Sequence, residues 1–245
     1  MQKTKWTTMH TNRSKIIALD WPNISNSLHQ NGFVLIPRLL VKEQCEQLKR
    51  SYHQEGQYRK TVIMERHRFG LGEYKYFNYP LPSLIEEIRT TIYPYLAPIA
   101  NTWFKALHLD QQFPLSHAEL LAQCHDHNQK QATALLLKYG EGGYNTLHQD
   151  LYGTVYFPLQ LVLFLTEPEE DFSGGEFVLM EQIPRAQSKA IVLTPRKGDA
   201  LIFTTNFRPI KGAKGYYRAN MKHGVSEVHQ GERYTLGIIF HDAIS

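Results

Sequence analysis

From Ala132 onward the chain repeats one pattern: short apolar runs broken by glycine-containing or acidic turns. The runs are Ala132–Tyr139, Tyr144–Gln149, Leu159–Thr166, Glu176–Met180, Ala190–Leu193, Ala200–Thr204, Ala219–Val228 and Tyr234–His241. Between them stand Gly140-Glu141-Gly142-Gly143, the segment 167–175, Gly198-Asp199 and Gln230-Gly231. Runs this short and this regularly interrupted predict strands, and their spacing predicts a sandwich or jelly roll. Leu159–Leu165 is apolar on both faces and should be a central strand. Gln160 within it must find hydrogen-bond partners or face a cavity. A core amide with its bonds met is the reading preferred for it.

The first third is mixed. Ile24–His29 and Val41–His53 have helical character, the latter with Val41, Cys45 and Leu48 on one side. Gly32–Ile36 reads as a strand. The aromatic, basic stretch Tyr58–Tyr79 reads as strands with an exposed turn near Gly70 and Gly72. Two helices should follow, Ser83–Tyr93 with Pro82 at its start and then Pro98–Leu107. Residues 1–131 are thus expected to form a support packed on a core of residues 132–245, the whole being one structural domain. With 245 residues, 42% apolar and 20% charged, the chain can bury a core and is neither disordered nor fibrous. Cys45 and Cys124 are too few for a disulfide framework and imply a reducing compartment. No apolar run approaches the ~20 residues needed to span a bilayer. The first fifteen residues lack the apolar stretch of a signal peptide. A cytoplasmic protein without membrane contact is expected.

Twelve histidines complicate the search for chemistry. His-x-Asp or His-x-Glu is expected about once by chance at this composition and occurs at His53, His108, His117 and His148. Spacing by two aligns side chains only on a strand. His53 and His117 fall in expected helices and His108 in a loop, so only His148 and Asp150, at a strand edge after a glycine-rich turn, should point together. Cys124-His125-Asp126-His127 reads as an exposed polar loop, since no further regularly spaced ligands follow. His223 ends another predicted strand. Arg233 lies ten residues beyond it, with Thr235 on the same face. Two imidazoles and a carboxylate on one face of an octahedral metal leave three open positions, an arrangement that selects Fe(II) and activates O2. An arginine nearby can grip the distal carboxylate of a 2-oxo acid.

At these residues the chain resembles the Fe(II)/2-oxoglutarate-dependent oxygenases. The likeness rests on His148-x-Asp150, His223 and Arg233-x-Thr235. It extends to Gly174-Gly175-Glu176-Phe177, the run 197–203, His223-Gly224-Val225 and the run 231–236. These look like the core of prolyl-4-hydroxylase-like members. The stretch from Phe33 to Trp103, including the run 66–76, looks like the N-terminal half of a bacterial family labelled as oxygenase acting on damaged DNA. The resemblance implies a mainly β fold, a double-stranded β-helix (cupin-like jelly roll) with N-terminal supporting helices. It implies Fe(II), 2-oxoglutarate and O2, with His148, Asp150 and His223 as ligands. Arg233 and Thr235 would bind 2-oxoglutarate, with Tyr139 as a pocket residue. Decarboxylation to succinate would drive hydroxylation or oxidative demethylation of a substrate. Alkylation-repair dioxygenases usually carry a second arginine six residues after the first, where this chain has Ile239. They also tend to carry Asn-x-Tyr where this chain has Leu137-Lys138-Tyr139.

Charge bears on the substrate. Between Arg185 and Lys222 stand nine basic residues and one acid, Asp199, whereas the rest of the chain is net negative. Arg208, Lys211, Lys214 and Arg218 lead toward His223, and Arg66 and Arg68 lie among the rings of Tyr58–Tyr79. Cations interleaved with rings suit single-stranded nucleic acid. A hairpin with its rings packed and its cations in water explains the second stretch as well. Three readings stand at this point: oxidation of a nucleic-acid base, prolyl-hydroxylase-like oxidation of a protein side chain or small molecule, and a ligand-binding barrel without turnover.

Overall fold

A computed structural model describes residues 12–151 and 153–245. Most of the first fifteen residues therefore lie outside the described residues. The chain begins with α1 (Asn12–Ile17) and α2 (Trp21–Asn31), then β1 (Phe33–Ile36), α3 (Lys42–Ser51) and β2 (Tyr58–Ile63). A 3₁₀ turn at Met64–His67 leads to β3 (Gly70–Leu71) and β4 (Glu73–Phe77). Two helices follow, α4 (Ser83–Ala106) and α5 (His117–Asp126). The rest is strand: β5 (Leu135–Tyr139), β6 (Tyr144–His148), β7 (Leu159–Phe164), β8 (Phe172–Gly174), β9 (Phe177–Gln182) and β10 (Lys189–Leu193). It continues through β11 (Ala200–Thr204), β12 (Phe207–Gly212), β13 (Gly215–Val225), β14 (Val228–Gly231) and β15 (Arg233–Ile239).

One sheet has the order β1-β11-β7-β15-β5-β4-β2 and faces a second of order β10-β9-β13-β6-β3, with β12 paired to β13. The double-stranded β-helix expected from the resemblance is the observed core, and strands from the first third extend both sheets. The alternation of side chains divides the first sheet's packing. Leu159, Leu161 and Leu163 of β7 and Tyr234, Leu236 and Ile238 of β15 join the large core with the helices. Val162, Phe164 and Phe203 face the second sheet, where they pack with Phe177 and Leu179.

Several expectations change. The two helices around Pro98 are one, α4, with Pro94 and Pro98 inside it. Both prolines lie on the exposed side, where water can serve the carbonyls they leave unbonded. Ile85, Ile88, Ile92, Leu96 and Trp103, all fully buried on the opposite face, hold the helix together. Val41 is exposed and precedes α3, so only Cys45 and Leu48 of that trio are buried. His53 lies just beyond α3 rather than in it. Cys124-His125-Asp126-His127 is the end of α5 rather than a loop: Cys124 is buried and His125 Nε2 lies 3.3 Å from Asp242 Oδ2. β8, β12 and β14 join the eight runs read from the sequence.

Asp242 is a joint between helix and sheet. Its carboxylate is fully buried against Arg89 Nη2 at 2.9 Å and accepts from Tyr79 Oη at 2.8 Å. Arg89 also donates to the carbonyls of Ile239 and Phe240, both at 3.0 Å. Two histidines nearby are buried. His117 Nε2 donates to the Phe240 carbonyl at 2.8 Å, and His241 Nδ1 accepts from the Phe157 amide at 3.0 Å. Burial, reinforced by the Arg89 charge, lowers each from 6.5 to about 4. Both groups are neutral when folded and take up protons more readily when unfolded. Stability is therefore expected to be complete above about pH 6.5 and to fall toward pH 4, by up to roughly 3 kcal/mol per histidine. Urea unfolding of wild type and His241→Gln at pH 7 and pH 4.5 checks this. The variant should lose a distinct share of the pH dependence, and equal dependence in both proteins would refute it.

Candidate active site

The register of β6 against β13 sets His148 opposite His223. Their rings lie 4.2 Å apart between centroids. Asp150, two residues past His148, swings back beneath them. His148 Nε2 is 3.5 Å from Asp150 Oδ1, and His223 Nε2 is 3.3 Å from Asp150 Oδ2. One ligand atom from each of the three lies within 4.8 Å of the others.

The electrostatics suit a cation. Burial opposes ionisation of Asp150, but hydrogen bonds from both imidazoles outweigh it and hold the carboxyl well below its usual range. Burial pushes His223 down. For His148 burial acts in the same direction, yet the Asp150 carboxylate more than offsets it. His148 Nδ1 donates to the Thr146 carbonyl at 2.7 Å, so loss of the Nε2 proton that bonds Asp150 would leave the Nε2 lone pair to a metal. Two imidazole nitrogens and an anion thus converge on one point, and they are the donor set that a divalent iron takes.

Gln149, between the two ligand candidates, is bonded to neighbouring segments. Its Nε2 donates to the carbonyls of Asn206 and Met221 at 2.8 and 2.9 Å and lies 3.1 Å from Asn206 Oδ1. Met221 is two residues before His223, so this amide ties the 148–150 segment to the strand that carries the third group.

The cluster opens into a cavity of about 240 Å³ between the sheets. Arg233 and Thr235 of β15 line it, as does Tyr139 of β5, which pairs with Arg233 across the ladder. Arg233 is 2% exposed. Its guanidinium carbon lies 5.6 Å from the ring centres of Tyr139 and Phe164, and Nη1 has no hydrogen-bond partner. Burial lowers its pKa to about 10, so it remains charged at neutral pH. A buried guanidinium with an unused donor beside a cavity fits a carboxylate ligand. Gln160 also lines the cavity, and its Nε2 is unpartnered. It is not the satisfied core amide that its strand suggested.

The basic residues lie elsewhere. Arg208 pairs with Glu181 at 2.6 Å, and Arg218 packs over the Phe207 ring at 4.9 Å. Lys211 and Lys214 are exposed at the tip of the β12–β13 hairpin. None of these four lines the cavity. Arg66 and Arg68 are exposed in the segment between Met64 and Phe69, two residues that do line it. Phe69 is stacked on His67 at 5.3 Å, and its carbonyl accepts from the Thr146 amide at 2.9 Å. Within Tyr58–Tyr79, Arg59 lies over Tyr76 and Lys75 over Tyr52, so those cations serve packing. The sequence did not single out Gln149, nor Phe69 from the other rings of its stretch. A phenylalanine directly after the run Arg66-His67-Arg68 was the available signal for the second.

Over residues 72–243 the chain matches a family described as oxygenase, catalysing oxidative methylation of damaged DNA. Two uncharacterized proteins of Mycobacterium tuberculosis, from strains CDC 1551 / Oshkosh and ATCC 25618 / H37Rv, are each 46% identical over 167 residues, 68% of this chain and 72% of theirs. A prolyl-4-hydroxylase of Pseudomonas putida superposes with a TM-score of 0.53 at 13% identity, covering 89% of this chain and 97% of its own. A prolyl hydroxylase from Trichoplax adhaerens, solved with a hypoxia inducible factor oxygen degradation domain peptide fragment, superposes with a TM-score of 0.54 at 16% identity, covering 95% and 93%. A 2OG-Fe(II) oxygenase family member from Burkholderia pseudomallei gives 0.50 at 12% identity, covering 92% and 93%. At such identities the likeness speaks for the fold, whereas the match over residues 72–243 speaks for the family. The chain belongs to that oxygenase family and is an enzyme built on the fold of the 2-oxoglutarate-dependent dioxygenases.

Proposed function

We propose that this enzyme couples decarboxylation of 2-oxoglutarate to oxidation of a damaged base in nucleic acid. The observation that carries the reading is one cavity holding the His148, Asp150 and His223 cluster together with the buried, unpartnered guanidinium of Arg233. His148, Asp150 and His223 would hold Fe(II), and Arg233 with Thr235 would take the distal carboxylate of 2-oxoglutarate, with Tyr139 beside it. Fe(II) with 2-oxoglutarate and O2 supplies oxidation of a substrate C–H bond, with succinate and CO2 as the other products. The chain's own work is placement. The tautomer of His148 is set by Thr146, the 148–150 segment is anchored by Gln149, and Val162, Phe177, Phe203 and Ile239 give the cavity apolar walls that limit water.

The family description supports a nucleic-acid target. So does the cavity mouth, where the exposed Phe69 ring follows the exposed Arg66 and Arg68. A ring can stack a base and the guanidinium groups can meet phosphates. A base must leave its stack, or come from a single strand, to reach the cluster.

Anaerobic addition of Fe(II) and 2-oxoglutarate should give a visible metal-to-ligand charge-transfer band that His148→Ala abolishes; absence of the band in folded wild type would refute the co-substrate assignment. Gln149→Leu should weaken metal binding roughly ten- to a hundredfold, because it frees the ligand segment from β13. Titration with Co(II) reads this directly, and unaltered affinity would deny Gln149 its anchoring role. Replacing Lys211, Lys214 and Arg218 with alanine should weaken single-stranded oligonucleotide binding. It should also flatten the slope of log affinity against log salt by about 0.7 for each phosphate no longer neutralised. Unchanged affinity and slope would remove the hairpin from the interface.

A further inference from the structure

Gln160 is the polar exception on the inner face of β7. It is 5% exposed, its neighbours on that face are Val162 and Phe164, and its Nε2 has no hydrogen-bond partner. An amide donor left unmet in an apolar wall is costly unless a ligand meets it. Arg233 Nη1 is a second buried donor without a partner lining the same cavity.

The sheet register separates the two donors. Gln160 pairs across β7 and β15 with Ile239, six residues along the strand from Arg233. On its other side Gln160 pairs with Phe203, whose ring lies 4.8 Å from that of His223. Arg233 instead lies among Tyr139, Phe164 and Phe172. Gln160 is therefore next to the ring that packs on His223, and Arg233 lies at the opposite end of β15 from Gln160's partner. A ligand that meets both needs oxygen acceptors at each end, which a dicarboxylate has.

We propose that Gln160 donates from Nε2 to the oxo-acid end of the co-substrate, the end that lies at the His148, Asp150 and His223 cluster, while Arg233 holds the distal carboxylate. This rests on the co-substrate reading above. It adds a specificity-determining residue that none of the sequence motifs contains. A neutral amide is suited to the position, since a second cation beside the metal ligands would oppose binding of the metal.

The test compares two probes on Mn(II)-loaded protein without turnover: 2-oxoglutarate, and 2-oxobutyrate, which keeps the oxo-acid end and lacks the distal carboxylate. Affinity is read by calorimetry for wild type, Gln160→Leu and Gln160→Glu, with Mn(II) affinity and thermal midpoint recorded for each. A hydrogen bond to a charged group predicts that Gln160→Leu weakens both probes by the same factor, roughly ten- to a hundredfold. Gln160→Glu keeps the shape and places an anion against the probe, so its loss should be at least as large. A loss confined to 2-oxoglutarate, or no loss for either probe, would overturn the assignment. If Gln160→Leu does not fold, the nearly isosteric Gln160→Glu decides alone: wild-type affinity for both probes in that variant would overturn the assignment. Failure of wild type to bind 2-oxoglutarate would instead refute the co-substrate reading itself, which keeps the two failures distinct.

Discussion

The pairing of β6 with β13 is the constraint on which the site depends. Residues directly opposite on antiparallel strands have Cβ atoms about 5 Å apart, so the register alone brings the His148 and His223 rings together. A slip of one residue would turn one imidazole to the other face. Local features resist such a slip. The pairing shifts between His223 and Val225, and at Gly224 a Cβ would stand 2.6 Å from the Asn145 carbonyl oxygen. Glycine at that position lets the two backbones approach. Gln149 then ties the segment beyond β6 to Met221 and Asn206, so Asp150 is held by side-chain bonds where the ladder has ended.

The same strands serve two environments. β15 sends Tyr234, Leu236 and Ile238 into the helix-side core and Arg233, Thr235, Gly237 and Ile239 toward the cavity. Stability and chemistry are thereby placed on opposite faces of one strand. On the helix side α4 is locked to the strand's end through Arg89 and Asp242, with every nitrogen of Arg89 bonded. The two arginines differ in one respect that matters. Arg89 is fully partnered and structural, whereas Arg233 is comparably buried and carries an unused donor. Burying a charge without a close carboxylate costs several kcal/mol, and the anionic co-substrate proposed above would offset that cost.

The sequence made the strands and the cluster legible for different reasons. Ala200–Thr204 is read without error because the Gly198-Asp199 turn before it and the polar Thr205-Asn206 after it bound an apolar run on the scale of a strand. His148, Asp150 and His223 are legible because only strand spacing makes His-x-Asp a chemical unit. The fused α4 was not legible, since two prolines argue locally against a helix and only the buried face, completed by distant residues, overrides them. β12 was hidden by Pro209 and by its basic residues, which belong to a strand at the margin of the sheet where a missing N–H is tolerated. The unmet donor of Gln160 and the anchoring by Gln149 depend on which strands become neighbours, information that no local pattern contains.

Charge shows the same limit from another side. The basic surplus between Arg185 and Lys222 looks in one dimension like a single cationic surface. In the fold it divides. Arg208 is bound to Glu181, and Lys197 is paired with Glu46 and lies 3.5 Å from Asp171, so these two hold elements together. Lys211, Lys214, Arg218 and Lys222 remain exposed on the β12–β13 hairpin, and Arg185, Lys189 and Arg196 are exposed outside it. A paired charge contributes little to the field felt by an approaching polyanion, whereas an exposed one contributes within a Debye length, about 8 Å at physiological salt. Four of the exposed cations thus lie on the β12–β13 hairpin, whereas Phe69, which lines the cavity, belongs to a segment tied by its backbone to the strand that carries His148. The hairpin cations and the ring at the cavity sit on separate elements, so the side chains of either can change without disturbing the register that assembles the cluster.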